Sequence, residues 1–489
     1  AGQTVPQVMN VNMETKGNLS ILNTNMGSIL LSSSGVRTIT VLGNFILNPS
    51  AGNTARFFLA NAIQDGTLDI RGNFNGGITP AGTVVFGITG AGASGAVAEI
   101  RFSGTGNQVF NPPAFSNGGQ TSTRYRIVIN KISGIVTFSP DIYDFTNATN
   151  TIRIENGTFS ISKATTQNIT VGAIEGAGTL QLQGAMHRLT IEGANSGFSG
   201  TLNATTPPSV AYLVGNQNIF PIAYEDLEIT SATKTLVGNI SVAGNFTNNG
   251  ATLAGNHTVI FNGTAAQSIG GSTNTTFFGL TVNKASNILN INRPITVSNA
   301  LALSNGRLVL GNNNLTYGGT EGNLTRTNGW IETNGTGAFV RTGTPATANN
   351  FYVGDASAMR NVILSNFSSG TSVRFTSPIA PSTVAGNQAT GMWILNGSGA
   401  GNITLQNVGA NPNGSSRVFQ SNAGAAWTAV ATNPPSPPNF TSANTIALAP
   451  NQRFTVFSPI AQSITFNLSS PQAFTAGSIP LSATASSGL

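Results

Sequence analysis

The sequence predicts an all-β protein: a right-handed parallel β-helix, then an antiparallel β-sandwich, then the opening of an immunoglobulin-like module. Three observations lead there. Short apolar runs alternate with period two, and almost no helical period falls between them. Asn, Gly and Ser cut these runs at near-even spacing, and Asn and Gly accept the positive φ of sharp corners. The same order of features recurs along the chain, which is the mark of a stacked unit.

The clearest unit is Gly255–Gly319. Its alternation predicts strands at Thr258–Phe261, Phe278–Asn283, Ile295–Ser298 and Arg307–Leu310, with weaker ones at Ile288–Ile291 and Leu315–Tyr317. A glycine-led element carrying a glutamine appears at Gly104–Phe110, Gly215–Ile219 and, loosely, Gly263–Ile269. Apolar runs of one pattern follow, opening at Ile127, Leu227 and Leu280, and each leads to an Asn-Gly corner: Asn156-Gly157, Asn249-Gly250 and Asn305-Gly306. Gln108, Gln217 and Gln267 lie 109 and then 50 residues apart, so the period is irregular and insertions are looped out. Gly-Asn-Phe recurs at Gly43–Phe45, Gly72–Phe74 and Gly244–Phe246.

In chain order, residues 1–336 read as the β-helix. Ala1–Thr15 contributes to a cap over the first rung, because an open end of stacked strands exposes unpaired backbone groups. Strands follow at Asn18–Leu22, Ser28–Ser32, Thr38–Leu42 and Thr67–Ile70; Ile78–Ala98 is a loop or a loosely wound rung. Residues 99–161 are the first copy of the repeat, Tyr212–Leu253 the second and Gly255–Gly319 the third. Residues 337–460 carry longer alternating strands, two of the three tryptophans (Trp393 and Trp427) and a Pro-rich stiff loop at Asn433–Asn439; together these predict a sandwich. Residues 461–489 read as two strands of a further immunoglobulin-like repeat, so the natural chain is expected to continue past Leu489.

Composition narrows the function. Only 7% of the 489 residues are charged, against roughly 25% in ordinary soluble domains, and there are 58 glycines. The surface must therefore be built from Asn, Thr, Ser and Gly, as extracellular β-structure often is. The net charge of +6 is spread thinly, and the densest basic pair, Arg124 and Arg126, flanks a strand; this argues against nucleic acid as a partner. Absence of cysteine removes disulfides and thiolate metal sites. No run reaches the ~18 apolar residues of a membrane helix. The opening Ala1-Gly-Gln-Thr-Val fits a mature, exported protein.

No residue is assigned a catalytic, cofactor-binding or metal role. His187 and His257 stand alone at predicted turns. Asp141 with Asp144, and Glu225 with Asp226, are the acidic pairs a carbohydrate-active β-helix would need on one groove, but solvated strand ends explain both more simply. Asp65 and Asp69 lack the ligand spacing of a calcium loop. Gly104-Thr-Gly106 and the Asn-x-Thr triplets at Asn245 and Asn262 are expected from composition alone. Tyr143, Tyr212 and Trp330 are candidates for stacking on sugars, with a core or seam role the simpler reading for Trp330.

The third copy, with Phe261-Asn-Gly-Thr-Ala-Ala-Gln-Ser-Ile269, Leu280-Thr-Val-Asn-Lys-Ala-Ser286 and Leu303-Ser-Asn-Gly-Arg-Leu-Val-Leu-Gly-Asn-Asn-Asn-Leu-Thr316, resembles large secreted surface proteins of the Bacteroidota. Arg453–Pro459 is similar to the close of a β-sandwich module in those proteins, and Gln462–Leu489 to the opening of their tandem immunoglobulin-like repeats. The resemblance implies type IX secretion, a location on the outer-membrane exterior, and adhesin-like work in gliding motility or surface attachment, as the distal part of a long surface fibre. Its implied partners are an extracellular polysaccharide or protein ligand and the secretion or motility machinery. The family's C-terminal secretion signal is not visible in this chain. A carbohydrate-active β-helix enzyme and a self-assembling filament subunit remain the alternative readings.

Overall fold

Strands too short to bury a face alone must stack, and in this protein they stack as parallel rungs of a β-solenoid of about 13 turns. The computed structural model describes residues 7–9, 11–22, 29–31, 35–61, 64–75, 82–89, 96–112, 124–138, 150–163, 168–184, 188–377, 391–408, 416–422, 427–433, 439–457, 464–467 and 482–485. The chain forms two compact units, Ala1–Thr275 and Thr276–Leu489. Among the described residues the only helical element is one 3-10 turn, Glu321–Asn323.

In the first unit one turn advances Gly66 to Ala98, Val97 to Arg124, Arg126 to Thr151, Thr158 to Thr179 and Val210 to Leu227. The repeat is therefore a single turn, 32 residues long at Gly66 and 17 at Val210, and the larger units read from the sequence each span several turns. Met13–Thr15, expected to help cap the stack, pairs in parallel with Ile39–Val41 as a rung. Two long strands, Arg124–Phe138 and Thr151–Lys163, run on through their corners. The corners at Gly134 and Gly157, with φ of 76° and 88°, turn the chain without ending the ladder.

The Gly-Asn-Phe tripeptides show how adjacent turns lock. A Cβ on Gly72 would lie 2.5 Å from the Gly43 backbone, so the turns approach too closely there for any side chain. The asparagines form a ladder: the amide of Asn73 donates to Asn44 Oδ1 (2.8 Å) and that of Val109 to Asn73 Oδ1 (2.7 Å). The phenylalanines stack inside. Phe45, Phe74, Phe110, Phe138 and Phe159 follow one another at centroid distances of 5.1, 5.5, 5.5 and 6.0 Å. Each such pair contributes about 0.5–1.5 kcal/mol beyond its buried area.

The recurring Gln and Lys form a second column. Gln108 donates from Nε2 to the carbonyl oxygens of Ile70 (3.0 Å) and Gly72 in the turn before it. Lys131, buried in the turn after, donates from Nζ to Gly104 O (2.6 Å), Gly106 O (2.8 Å) and Gln108 Oε1 (2.6 Å). Gly157 closes the column, because a Cβ there would come within 2.9 Å of Lys131 Cβ. The second copy repeats the scheme: Gln217 donates to Ile191 O and Gly193 O, both at 2.8 Å, and buried Lys234 donates to Gly215 O at 2.6 Å. In the second unit Gly306 closes over buried Lys284 in the same way. Burial lowers all three lysines to about 8, so at neutral pH each is still mainly an ammonium and its hydrogen bonds are charge-assisted.

The second unit begins with parallel turns, Ile295 to Leu315, Arg307 to Trp330 and Leu315 to Phe339. Then Phe339–Arg341 pairs antiparallel with Thr371–Thr376, and the edge of the parallel stack is covered. Two antiparallel sheets follow. One holds Thr371–Thr376, Met392–Asn396, Gln452–Phe457, Arg417–Asn422 and Thr428–Ala429; the other holds Asn349–Phe351, Val362–Leu364, Ile403–Gln406 and Asn439–Thr441. Trp393 sits in this sandwich-like core against Phe375 at 5.1 Å and donates from its indole N–H to Arg360 O (2.8 Å). Where the pairing changes sense, buried Arg341 lies between the rings of Tyr317 (5.7 Å) and Phe351 (5.6 Å) and pairs with Glu321. Of the Pro-rich loop, residues 434–438 lie outside the described residues. Ile464–Asn467 and Ser482–Ala485 pair antiparallel, as the two-strand reading of the C-terminal segment expected.

Because Lys131 satisfies two buried acceptors, Gly104 O and Gln108 Oε1, and a partly buried third, Gly106 O, Lys131→Met leaves the buried ones unpaired at about 1–3 kcal/mol each. Amide exchange of the flanking rungs should show a loss of roughly 3 kcal/mol or more in local stability, while Lys16→Met at an exposed position changes nothing.

Candidate functional site

The few charges of this chain are concentrated in pairs that reach across rungs. Arg188 Nη2 meets Glu228 Oε2 at 2.5 Å, spanning the strand Ser209–Tyr212 that lies between their own strands. Ala211 lies beneath, facing outward yet fully covered, because only a small side chain lets the pair pass over it. Arg101 and Glu155 do the same at 2.9 Å across Arg124–Phe138, with Val128 covered beneath. Arg126 with Glu99, Arg153 with Glu175 and Arg307 with Glu332 continue the pattern between neighbouring rungs, whereas Arg360 and Asp355 pair across one tight turn. Partly exposed pairs of this kind contribute at most about 1 kcal/mol each, less at high salt.

Several residues singled out in the sequence have structural partners. Asp65 Oδ1 accepts the Val97 amide at 2.7 Å, and Asp69 Oδ1 accepts the Ser103 hydroxyl at 2.6 Å, so these carboxylates serve separate rung contacts. Among the described residues no three His, Cys, Asp or Glu side chains gather as metal ligands. The carbonyls of Gly104 and Gly106 hold the Lys131 ammonium. Asn245 Oδ1 accepts from the Ser268 amide and hydroxyl, both at 2.9 Å. His257 is half-buried before Thr258–Phe261, and Asp141, Tyr143, Asp144 and His187 lie outside the described residues.

Tyr212, a candidate for stacking on sugars, is fully buried, and this corrects that expectation. Its strand turns the ring inward, and its hydroxyl lies 2.9 Å from that of Tyr224, which donates to Phe220 O at 2.6 Å. Trp330 is half-buried and donates from its indole to Asp355 O at 2.9 Å.

Asp226 belongs to an open groove on the outer face of four successive rungs, lined by Arg188, Ser209, Asp226, Glu228, Asn245 and Thr247. Its floor is the covered backs of Val210 and Leu227. Asp226 Oδ1 accepts the Asn245 amide (2.6 Å) and Oδ2 the Ser209 hydroxyl (3.3 Å); Glu228 Oε1 accepts from Asn249 Nδ2 (3.1 Å). Glu225, its predicted companion, is exposed and is not part of the lining. Sequence reading missed Arg188, Ser209, Glu228 and Thr247. Their outward alternation is visible, but the register that aligns them, Arg188 with Ser209 and Ala211 with Glu228, depends on unequal turn lengths.

Fold and surface define an all-β solenoid protein with a polar flank. No family model, no curated protein and no solved structure matches the chain. No helix among the described residues is long and apolar enough to cross a membrane, which does not bear on crossing by strands.

A double-mutant cycle on Arg188→Ala and Glu228→Ala should give a coupling of about 0.5–1 kcal/mol by urea unfolding at low salt, shrinking as salt rises. Burial raises the phenols of Tyr212 and Tyr224 above their ordinary value. A raised folded pKa means the contribution is whole below about pH 10 and is lost as pH climbs above that. Urea midpoints should therefore fall between about pH 9 and about pH 11, and the fall should be shallower in Tyr212→Phe/Tyr224→Phe.

Proposed function

We propose that this chain is a non-enzymatic, adhesin-like segment of a secreted cell-surface protein, built to hold and display a rigid polar flank. The observation that carries the reading is the use of its carboxylates. Among the described residues, Glu99, Glu155, Glu175, Glu228, Glu321, Glu332 and Asp355 stand in ion pairs, and Asp65, Asp69 and Asp226 accept hydrogen bonds that tie rung to rung. Acids committed in this way brace a scaffold. The resemblance to Bacteroidota surface proteins supports the same reading and adds the outer-membrane exterior as the location, with export through type IX secretion.

The carbohydrate-active reading has one observation in its favour, the placement of Asp226 and Glu228 on one groove. Against it, both carboxylates already accept structural hydrogen bonds, and Glu228 is paired with Arg188. Beads coated with the protein should attach to polysaccharide-coated surfaces or to cells, and a soluble polysaccharide panel should show no new reducing ends after long incubation. Release of reducing ends that disappears in Asp226→Asn would overturn the non-enzymatic reading.

A further inference from the structure

We infer that the groove over Arg188, Ser209, Asp226, Glu228, Asn245 and Thr247 is a binding site for an extended, uncharged polysaccharide. The inference rests on the adhesin-like reading and names the ligand class for it.

The lining supplies spare hydrogen-bonding capacity of both kinds. Asn245 uses its carbonyl oxygen for the rung contact to Ser268, which leaves its amide N–H groups for the groove. The guanidinium of Arg188 has five N–H donors, and its bond to Glu228 uses one of them. The carboxylates of Asp226 and Glu228 each offer about four acceptor positions and use two for structural bonds. The Thr247 hydroxyl can donate or accept, whereas that of Ser209 is already spent on Asp226, donating to its carboxylate and accepting its amide. Donors and acceptors therefore alternate across a trough where sugar hydroxyls can replace bound water one for one.

Other ligand classes fit less well. Two carboxylates against one guanidinium, itself paired, repel a polyanion and give phosphate no cluster to bind. The guanidinium next to Glu228 also disfavours a metal ion there. A peptide side chain finds no apolar anchor, because Val210 and Leu227 are 2% and 1% exposed and turn inward. A polyol needs neither a charge cluster nor an apolar pocket.

The groove also has a periodicity of its own. Its lining comes from four rungs, spaced about 4.8 Å apart as in any sheet, so it runs about 14 Å along the stack and presents a polar group at each step. That step is comparable to the repeat of an extended β-linked pyranose chain. With no aromatic ring in the lining to stack on a sugar face, each site binds weakly, and attachment gains strength from many copies on one surface.

The test is affinity electrophoresis of the whole chain through gels holding hydroxyethyl cellulose, polygalacturonate or no polymer. Retardation by the neutral glucan alone is expected. Thr247→Arg, which fills the trough from outside, should weaken it at least tenfold, whereas Thr296→Arg on the second unit should leave it unchanged, with circular dichroism confirming that both variants fold. No retardation by the glucan, equal retardation of Thr247→Arg, or preference for polygalacturonate would each overturn the inference. If coated beads still adhere in any of these cases, the groove assignment fails alone and the adhesin-like reading stands. If the glucan is bound and then cleaved, the groove stands and the non-enzymatic reading fails.

Discussion

Every turn of a solenoid presents backbone groups to the turns on either side, and at a corner the regular ladder cannot pair them all. The structure depends on how this chain closes that deficit. Gln108 reaches back to the carbonyls of Ile70 and Gly72, and Lys131 reaches back to those of Gly104 and Gly106, so each corner is completed by a side chain from the following turn. Unpaired buried carbonyls are expensive, which ties the folding of one turn to the presence of the next. The Asn ladder works in the opposite sense beside the Gly72 corner, where the side-chain oxygens of Asn44 and Asn73 each accept an amide of the following turn.

That constraint accounts for the composition. Corners need Gly where turns approach within a Cβ radius, as at Gly72, Gly157 and Gly306, and Asn where a side-chain carbonyl must accept a neighbouring amide. Apart from the buried lysines of the corner column, such a chain uses charge mainly to bridge rungs from outside, over covered residues such as Ala211 and Val128. The groove lies beside one such bridge, where Ser209 and Thr247 keep the outer face low. Display and bracing are thus two uses of one polar flank.

Part of the site was legible in advance and part was not. Asp226 stood out as half of an acidic pair, but Glu225 does not line the groove, and the actual neighbours Arg188, Glu228 and Thr247 come from turns of different length. Tyr212 looked available for stacking on sugars because a single strand does not reveal which of its two faces is inside. Among the antiparallel strands, Asn439–Thr441 was hidden behind the Pro-rich segment, whose last residue it shares.

That the protein is all-β, that its strands are short and stacked, and that Gly, Asn and Gln recur along it can be read from the sequence, because period-two alternation and corner chemistry are local properties. Leu315–Tyr317 and Thr258–Phe261 could be read to the residue on that basis. Only the tertiary structure decided what those recurrences do. Turn length varies from 17 residues at Val210 to 36 at Phe74, so the residue that lies above any given side chain is set by how much chain each loop consumes, and no fixed period in the sequence encodes that register.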